Sequence, residues 1–211
     1  MRNINNIIFD LDGTLIDSEE GILFSLDYAL KKNNIQPSKK LSSKLIGPPL
    51  KELLKLVTNG YLSEKSLGSL ASDFKAHYDN IGYTKTLLFE NTREQLLNLR
   101  KNRFKLYIVT NKRSAPTQSI LDLTNINDYF SKVYCIDTFE EINNKATLLG
   151  RLLSDECLDN LETLYIGDTT EDELCSEANK LHFLPASWNP KALRGGPDKI
   201  RTLITHMSSI N

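Results

Sequence analysis

Short apolar runs recur along the chain at Ile7-Ile8-Phe9, Leu106-Tyr107-Ile108-Val109, Val133-Tyr134-Cys135-Ile136, Leu164-Tyr165-Ile166 and His182-Phe183-Leu184. Each run is short and largely free of polar alternation, so each reads as a strand buried on both faces. Beyond residue 104 the runs are separated by stretches with helical spacing, such as Ile142, Ala146, Leu149 and Leu153. Strands that alternate with helices imply right-handed crossovers and a parallel sheet, so the core is expected to be α/β.

About ninety residues lie between the first strand and the second, far more than the roughly 10 to 12 of a minimal crossover. The intervening segment carries helical spacing (Ile22, Leu23, Leu26, Ala29, Leu30; then Leu50, Leu53, Leu54, Val57) and lacks a convincing alternating strand. The expected organisation is an α/β core of residues 1–16 and 84–211, interrupted by a small α-helical cap of residues 17–83. Chain crossings are expected near Leu15 to Asp17 and Tyr83 to Phe89.

Composition narrows the class. Apolar residues make up 40 % and charged residues 25 % of the chain, which is globular rather than disordered. The net charge is -1 and the basic residues are dispersed, so nucleic acid is not an expected partner. The three cysteines, Cys135, Cys157 and Cys175, have unrelated spacings and read as reduced thiols. Neither a secretory signal nor a membrane span is evident, so a cytoplasmic protein without membrane attachment is expected. His77, His182 and His206 share no metal-ligand spacing.

The polar chemistry collects where strands end. The first ends in Asp10-Leu11-Asp12-Gly13-Thr14, the second in Thr110-Asn111-Lys112, and the fourth in Gly167-Asp168-Thr169-Thr170-Glu171-Asp172. Open parallel sheets bind ligands outside the carboxyl ends of their strands, where loops converge and helix amino termini point inward. If these strands are neighbours, Asp10, Asp12, Asp168 and Asp172 converge. Two such charges 4 Å apart repel by about 4 kcal/mol at an effective dielectric of 20. A divalent cation resolves that conflict, and an all-oxygen set suits Mg2+ alongside a substrate phosphate.

FDLDGTLIDS, IVTNK, Lys145 on a later helix, and GDTTED, in this order, resemble the four motifs of the haloacid dehalogenase superfamily, in its helical-cap branch that includes phosphoglycolate phosphatase. The resemblance implies a Rossmann-like parallel-sheet core with an inserted helical cap. It implies Asp10 as nucleophile, Asp12 as general acid and base with its main-chain carbonyl on Mg2+, and Asp168 as a metal ligand. Asp172 would support the metal directly or through an intermediary. Thr110, Asn111 and Lys145 would hold the phosphoryl group. Dehalogenating members lack the second aspartate, so Asp12 argues for phosphoryl transfer.

Those roles are also physically coherent. An ionised carboxylate can attack phosphorus and divide hydrolysis into two easier steps. Asp12, two residues on, can serve the leaving oxygen and then the attacking water, a task worth roughly 10² to 10⁴ in rate. Lys145, in the first turn of its helix, opposes the helix dipole, which hints at an anion nearby. Gly47-Pro48-Pro49-Leu50 is a helix start with proline in its first turn. By resemblance to capped phosphatases, Gly47 and Leu50 would also touch substrate. Where the family usually has alanine-glycine, this chain has Ala178-Asn179, and Asn179 is expected to take the left-handed position at that helix end.

The expected activity is Mg2+-dependent hydrolysis of a small phosphorylated metabolite. Alternatives are a phosphomutase, which has the same motifs but returns the phosphoryl group to a sugar, and a non-catalytic phospho-ligand-binding protein.

Overall fold

The computed structural model describes residues 4–42, 45–46 and 48–189. The chain divides into two compact units, one comprising Met1–Asp17 and Leu88–Asn211, the other Ser18–Leu87.

The first unit is built on a five-stranded parallel sheet. Its strands are β1 (Asn6–Phe9), β4 (Lys105–Thr110), β5 (Lys132–Cys135), β6 (Thr163–Gly167) and β7 (His182–Pro185), in the order β5-β4-β1-β6-β7. β1 is buried along its whole length, β6 likewise, and β4 everywhere but Lys105, as continuous apolar runs in a covered sheet should be. Helices α4 (Thr92–Lys101), α5 (Ser114–Leu123), α6 (Lys145–Asp155) and α7 (Thr170–Ala178) make the crossovers. Leu148, Leu149 and Leu152 of α6 pack with Ile8, Tyr107, Val109 and Tyr165 of the sheet.

β1 occupies the centre of the sheet. Phe9 pairs with Ile108 of β4 on one side and Ile166 of β6 on the other. One residue further, the Asp10 N–H donates to Ile166 O at 2.8 Å. Asp10 therefore leaves the sheet between the ends of β4 and β6, the two strands whose polar termini stand out in the sequence.

The second unit is helical: α1 (Glu19–Lys32), α2 (Leu50–Val57) and α3 (Glu64–Asn80), followed by a 3-10 turn at Gly82–Lys85. Leu26, Ala29 and Leu30 of α1 share a core with Leu53, Leu54 and Val57 of α2 and with Leu67, Leu70 and Phe74 of α3. A Cβ on Gly21 would lie 2.2 Å from the Gly82 carbonyl oxygen, so α1 and the 3-10 turn touch backbone to backbone. That approach binds residues 82 to 85 to the helices, which is why this unit runs to Leu87 and not Tyr83. Two-residue strands β2 (Ile16–Asp17) and β3 (Leu87–Leu88) pair at the chain crossings. Among the described residues, no helix is long and apolar enough to cross a membrane.

One local expectation is corrected. At the end of α7 the left-handed residue is Lys180 (φ 55), not Asn179, whose φ is -97. Asn179 instead turns its amide into the fold, donating to Ala146 O at 3.0 Å and Cys175 O at 2.9 Å. A Cβ at φ > 0 is strained, so Lys180→Gly is expected to stabilise the protein by about 0.5 to 1 kcal/mol, read as a higher urea midpoint. A lower midpoint would contradict this.

Candidate active site

The site is assembled from the carboxyl ends of β1, β4 and β6 and the amino termini of α6 and α7. The loop after β1 is tightly folded: Gly13 N–H donates to Ile16 O at 2.8 Å, and Leu15 N–H to Leu11 O at 2.9 Å. Leu11 and Leu15 are fully buried and anchor it. Gly13 has φ +85, and a Cβ there would fall 2.1 Å from Asp168 Oδ2. Glycine is required on both counts, because the loop must turn left-handed directly against a carboxylate from the neighbouring strand.

At the centre lies a buried ionic network. Lys145 Nζ donates to Asp10 Oδ1 and to Asp172 Oδ1, each at 2.6 Å. Lys145 is the first residue of α6, after Asn144, whose side chain accepts from the Thr147 N–H. Its ammonium is therefore compensated by two carboxylates against the unfavourable helix dipole. Tyr165, on β6, donates to Asp172 Oδ1 at 2.9 Å. Asp172 Oδ2 accepts from Thr169 Oγ1 at 2.6 Å, Thr169 N at 3.0 Å and Asp168 N at 3.2 Å. Thr169 and Asp172 together form a capping box at the start of α7. Gly167 makes this possible, since a Cβ there would sit 2.4 Å from the Cβ of Asp172.

The electrostatics follow from burial and from these partners. Burial pushes the Asp10 carboxyl well above the usual carboxylate range; Lys145 opposes the shift, and the charges of Asp172 and Asp168 add to it. Burial, reinforced by Asp172, raises Asp168 to about 7. For Asp172 burial pulls upward, but the charge and hydrogen bond of Lys145, with the bonds from Thr169, leave it below its ordinary value. Burial works against the Lys145 ammonium, yet Asp10, Tyr165 and Asp172 hold its pKa well above normal.

Carboxylate oxygens of Asp10, Asp168 and Asp172 lie within 4.8 Å of one another, a grouping that could hold a metal ion. The donor set fits magnesium: it is all oxygen, and two of its members are pushed toward neutrality by burial and mutual repulsion. The capacity is unequal, however. Both oxygens of Asp172 are engaged by short bonds, whereas the side-chain bonds that Asp168 accepts among the described residues, from Thr14 Oγ1 at 3.4 Å and Asn189 Nδ2 at 3.2 Å, are longer. Asp168 thus has the carboxylate least committed to other partners of the three, while Asp172 anchors Lys145.

The remaining candidates are distributed around this centre. Thr110 is buried, and its Oγ1 accepts from the Lys112 N–H at 3.1 Å. The Asn111 amide donates to both Glu171 oxygens, at 3.1 and 3.0 Å, so this residue tethers the end of β4 to α7. The Asp12 carboxylate receives Lys112 Nζ on both oxygens, at 2.9 and 3.0 Å. Leu50, the first residue of α2, belongs to the helical unit, and Gly47 lies outside the described residues.

Three contributors are not evident from sequence. Tyr165 is legible there only as a strand residue, although a phenol amid aliphatic residues two positions before Gly167 is a usable signal. Lys112 is legible there only as part of the polar Thr110-Asn111-Lys112 strand end, with no partner to assign it. Asn189, which donates to Gly13 O at 2.8 Å and to Asp168, comes from a distant segment that carries no motif.

Residues 7–186 match the sequence profile of the haloacid dehalogenase-like hydrolases. The phosphoglycolate phosphatase of Aquifex aeolicus is 32% identical over 169 residues, covering 79% of this chain and 76% of that protein. The tyrosine-protein kinase PtkA of Mycobacterium tuberculosis is 25% identical over 97% of this chain and 69% of its own length. Among solved structures, a haloacid dehalogenase-like family hydrolase from Streptococcus pneumoniae superposes with a TM-score of 0.78 at 26% identity, over 98% of this chain and 92% of that one.

Proposed function

This chain belongs to the haloacid dehalogenase-like hydrolase family and is a phosphatase of it, and from that premise we propose that it hydrolyses a small-molecule phosphate monoester through an aspartyl phosphate on Asp10. The observation that carries the reading is the buried Asp10 carboxylate, held 2.6 Å from Lys145 Nζ beside Asp168 at the end of the central strand. A carboxylate in that setting is fixed in direction and shielded from bulk water, as a nucleophile must be.

In the first half-reaction an Asp10 oxygen attacks phosphorus, the bond to the ester oxygen breaks, and Asp12 protonates the leaving oxygen. In the second, Asp12 takes a proton from water, water attacks phosphorus, and the bond to Asp10 breaks, releasing inorganic phosphate and the free carboxylate. Thr110 and Lys145 gather the equatorial oxygens, where negative charge builds, and Asn111, whose side-chain amide is held by Glu171, would contribute its main-chain N–H. Asp10, Asp168 and the Asp12 main-chain carbonyl would hold magnesium, which would supply positive charge to the transferring group. Asp172 supports it by fixing Lys145.

The helical unit is proposed as a specificity cap, with the Gly47 to Leu50 segment selecting among phosphate esters. The proposed partner is a small phosphorylated metabolite in the cytoplasm, a reading supported by the relative named phosphoglycolate phosphatase. The test is phosphate release, with magnesium present, across phosphoglycolate, sugar phosphates, nucleoside monophosphates, pyrophosphate and a phosphotyrosine peptide. Release from a monoester is the expected result. Transfer to a second hydroxyl without free phosphate would instead identify a mutase, and inactivity on all would favour a binding protein.

The metal assignment has a signature in stability. Asp168 ordinarily titrates near 3.8 and in the fold near 7, so the folded form holds its proton more tightly. In chelator its contribution therefore falls as pH rises from about 4 to about 7, because the fold must ionise a carboxyl that the unfolded chain ionises freely. Asp168→Asn removes that penalty. In EDTA its melting temperature is expected to gain on wild type as pH rises from about 4 to about 7 and then to hold that gain, while magnesium stabilises wild type more than the variant. A pH-independent difference, or equal stabilisation of both by magnesium, would count against Asp168 as a ligand.

A further inference from the structure

We propose that Lys112 is a positioning residue for catalysis, holding the Asp12 carboxylate in the orientation that general acid and base chemistry needs; this rests on the role proposed above for Asp12. Asp12 sits on a loop, its side chain 26% exposed, and its carboxylate can rotate about two torsions. General acid catalysis demands an oxygen within hydrogen-bond reach of the leaving atom, and small misplacements forfeit much of the rate. Lys112 Nζ donates to Asp12 Oδ1 at 2.9 Å and to Oδ2 at 3.0 Å, which fixes the plane of the carboxylate as well as its position.

The lysine is itself restrained. Its backbone N–H donates to Thr110 Oγ1, and the preceding Asn111 is tied through its amide to both oxygens of Glu171. One short loop thus links the phosphate-binding end of β4, the acid–base residue after β1 and the start of α7. Lysine side chains are normally solvated, yet this one is 7% exposed. A purely structural account is weak, because a desolvated ion pair gains little net stability over an apolar pair of the same shape. Orientation is what such a pair supplies.

The experiment compares wild type, Lys112→Met, Asp12→Asn and the double variant on p-nitrophenyl phosphate and phenyl phosphate. The leaving phenol of the second is far more basic and depends more on protonation. Lys112→Met is expected to lower kcat on phenyl phosphate by about tenfold and on p-nitrophenyl phosphate by less than about threefold, with KM within about twofold on both. Lys112→Arg is expected to recover most of the loss. In the Asp12→Asn background Lys112→Met is expected to cost nothing further, because the group it orients is no longer an acid. An equal loss on both esters, no loss on either, or a full additional loss in the double variant would overturn the proposal. If Lys112→Met does not fold, Lys112→Gln carries the same comparison, and failure of both to fold would make the lysine structural. Should Asp12→Asn itself keep wild-type kcat on both esters, the role of Asp12 is wrong whatever Lys112 does.

Discussion

Asp10→Asn is expected to abolish phosphate release, by roughly 10³-fold or more on every substrate, because the carboxylate assigned to attack phosphorus is replaced by a non-nucleophilic amide. The fold should survive. Asp10 is buried at 5% exposure among like charges, and its carboxyl is held above the usual range, so the ionised side chain is a burden on the fold. The amide keeps the volume and an oxygen that can accept from Lys145. The melting temperature in chelator is expected to be unchanged or higher, and the stabilisation by magnesium smaller. A purified Asp10→Asn protein with wild-type phosphate release would contradict the nucleophile assignment. One that is inactive and unfolded would contradict the electrostatic account of the site.

Lys145→Met is expected to fail in both activity and stability. The Lys145 side chain is 4% exposed and its ammonium bridges Asp10 and Asp172, whose side chains are 7% and 0% exposed. Removing the cation leaves two carboxylates buried without it, and breaking a buried pair from one side typically costs roughly 3 to 5 kcal/mol. Urea denaturation of Lys145→Met should show a loss of that size, together with at least about a hundredfold drop in kcat. Adding Asp172→Asn should return part of the stability and none of the activity, because it removes one stranded charge without restoring a phosphate ligand. A loss below about 1 kcal/mol in the single variant would mean the network contributes far less than its geometry implies.

The sheet and its polar strand ends are legible in the sequence because burial on both faces leaves a plain trace. Ile7 to Phe9, Leu106 to Val109 and Leu164 to Ile166 are uninterrupted apolar runs, and their polar termini stand out against them. The helical insertion is legible from chain length and spacing. Its extent to Leu87 is not, because it depends on the backbone approach of Gly21 to Gly82, and glycine carries no periodic signal. Asp172 illustrates a different limit. From sequence its partners cannot be read; in the fold one oxygen closes the capping box at the start of α7 while the other accepts from Lys145. Lys112 and Asn189 escape because their roles come from contacts across 100 and 21 or more positions, which composition and spacing cannot express.

The most direct test of the covalent mechanism is borohydride trapping during turnover. Wild-type protein is quenched at steady state with a good leaving-group ester and magnesium, reduced, digested, and the peptide containing residue 10 is weighed by mass spectrometry. An acyl phosphate on Asp10 is reduced to homoserine at that position, and the proposed chemistry predicts this product in wild type and its accumulation in Asp12→Asn, where the second step is slowed. Steady phosphate release with residue 10 recovered only as aspartate in both proteins would contradict it.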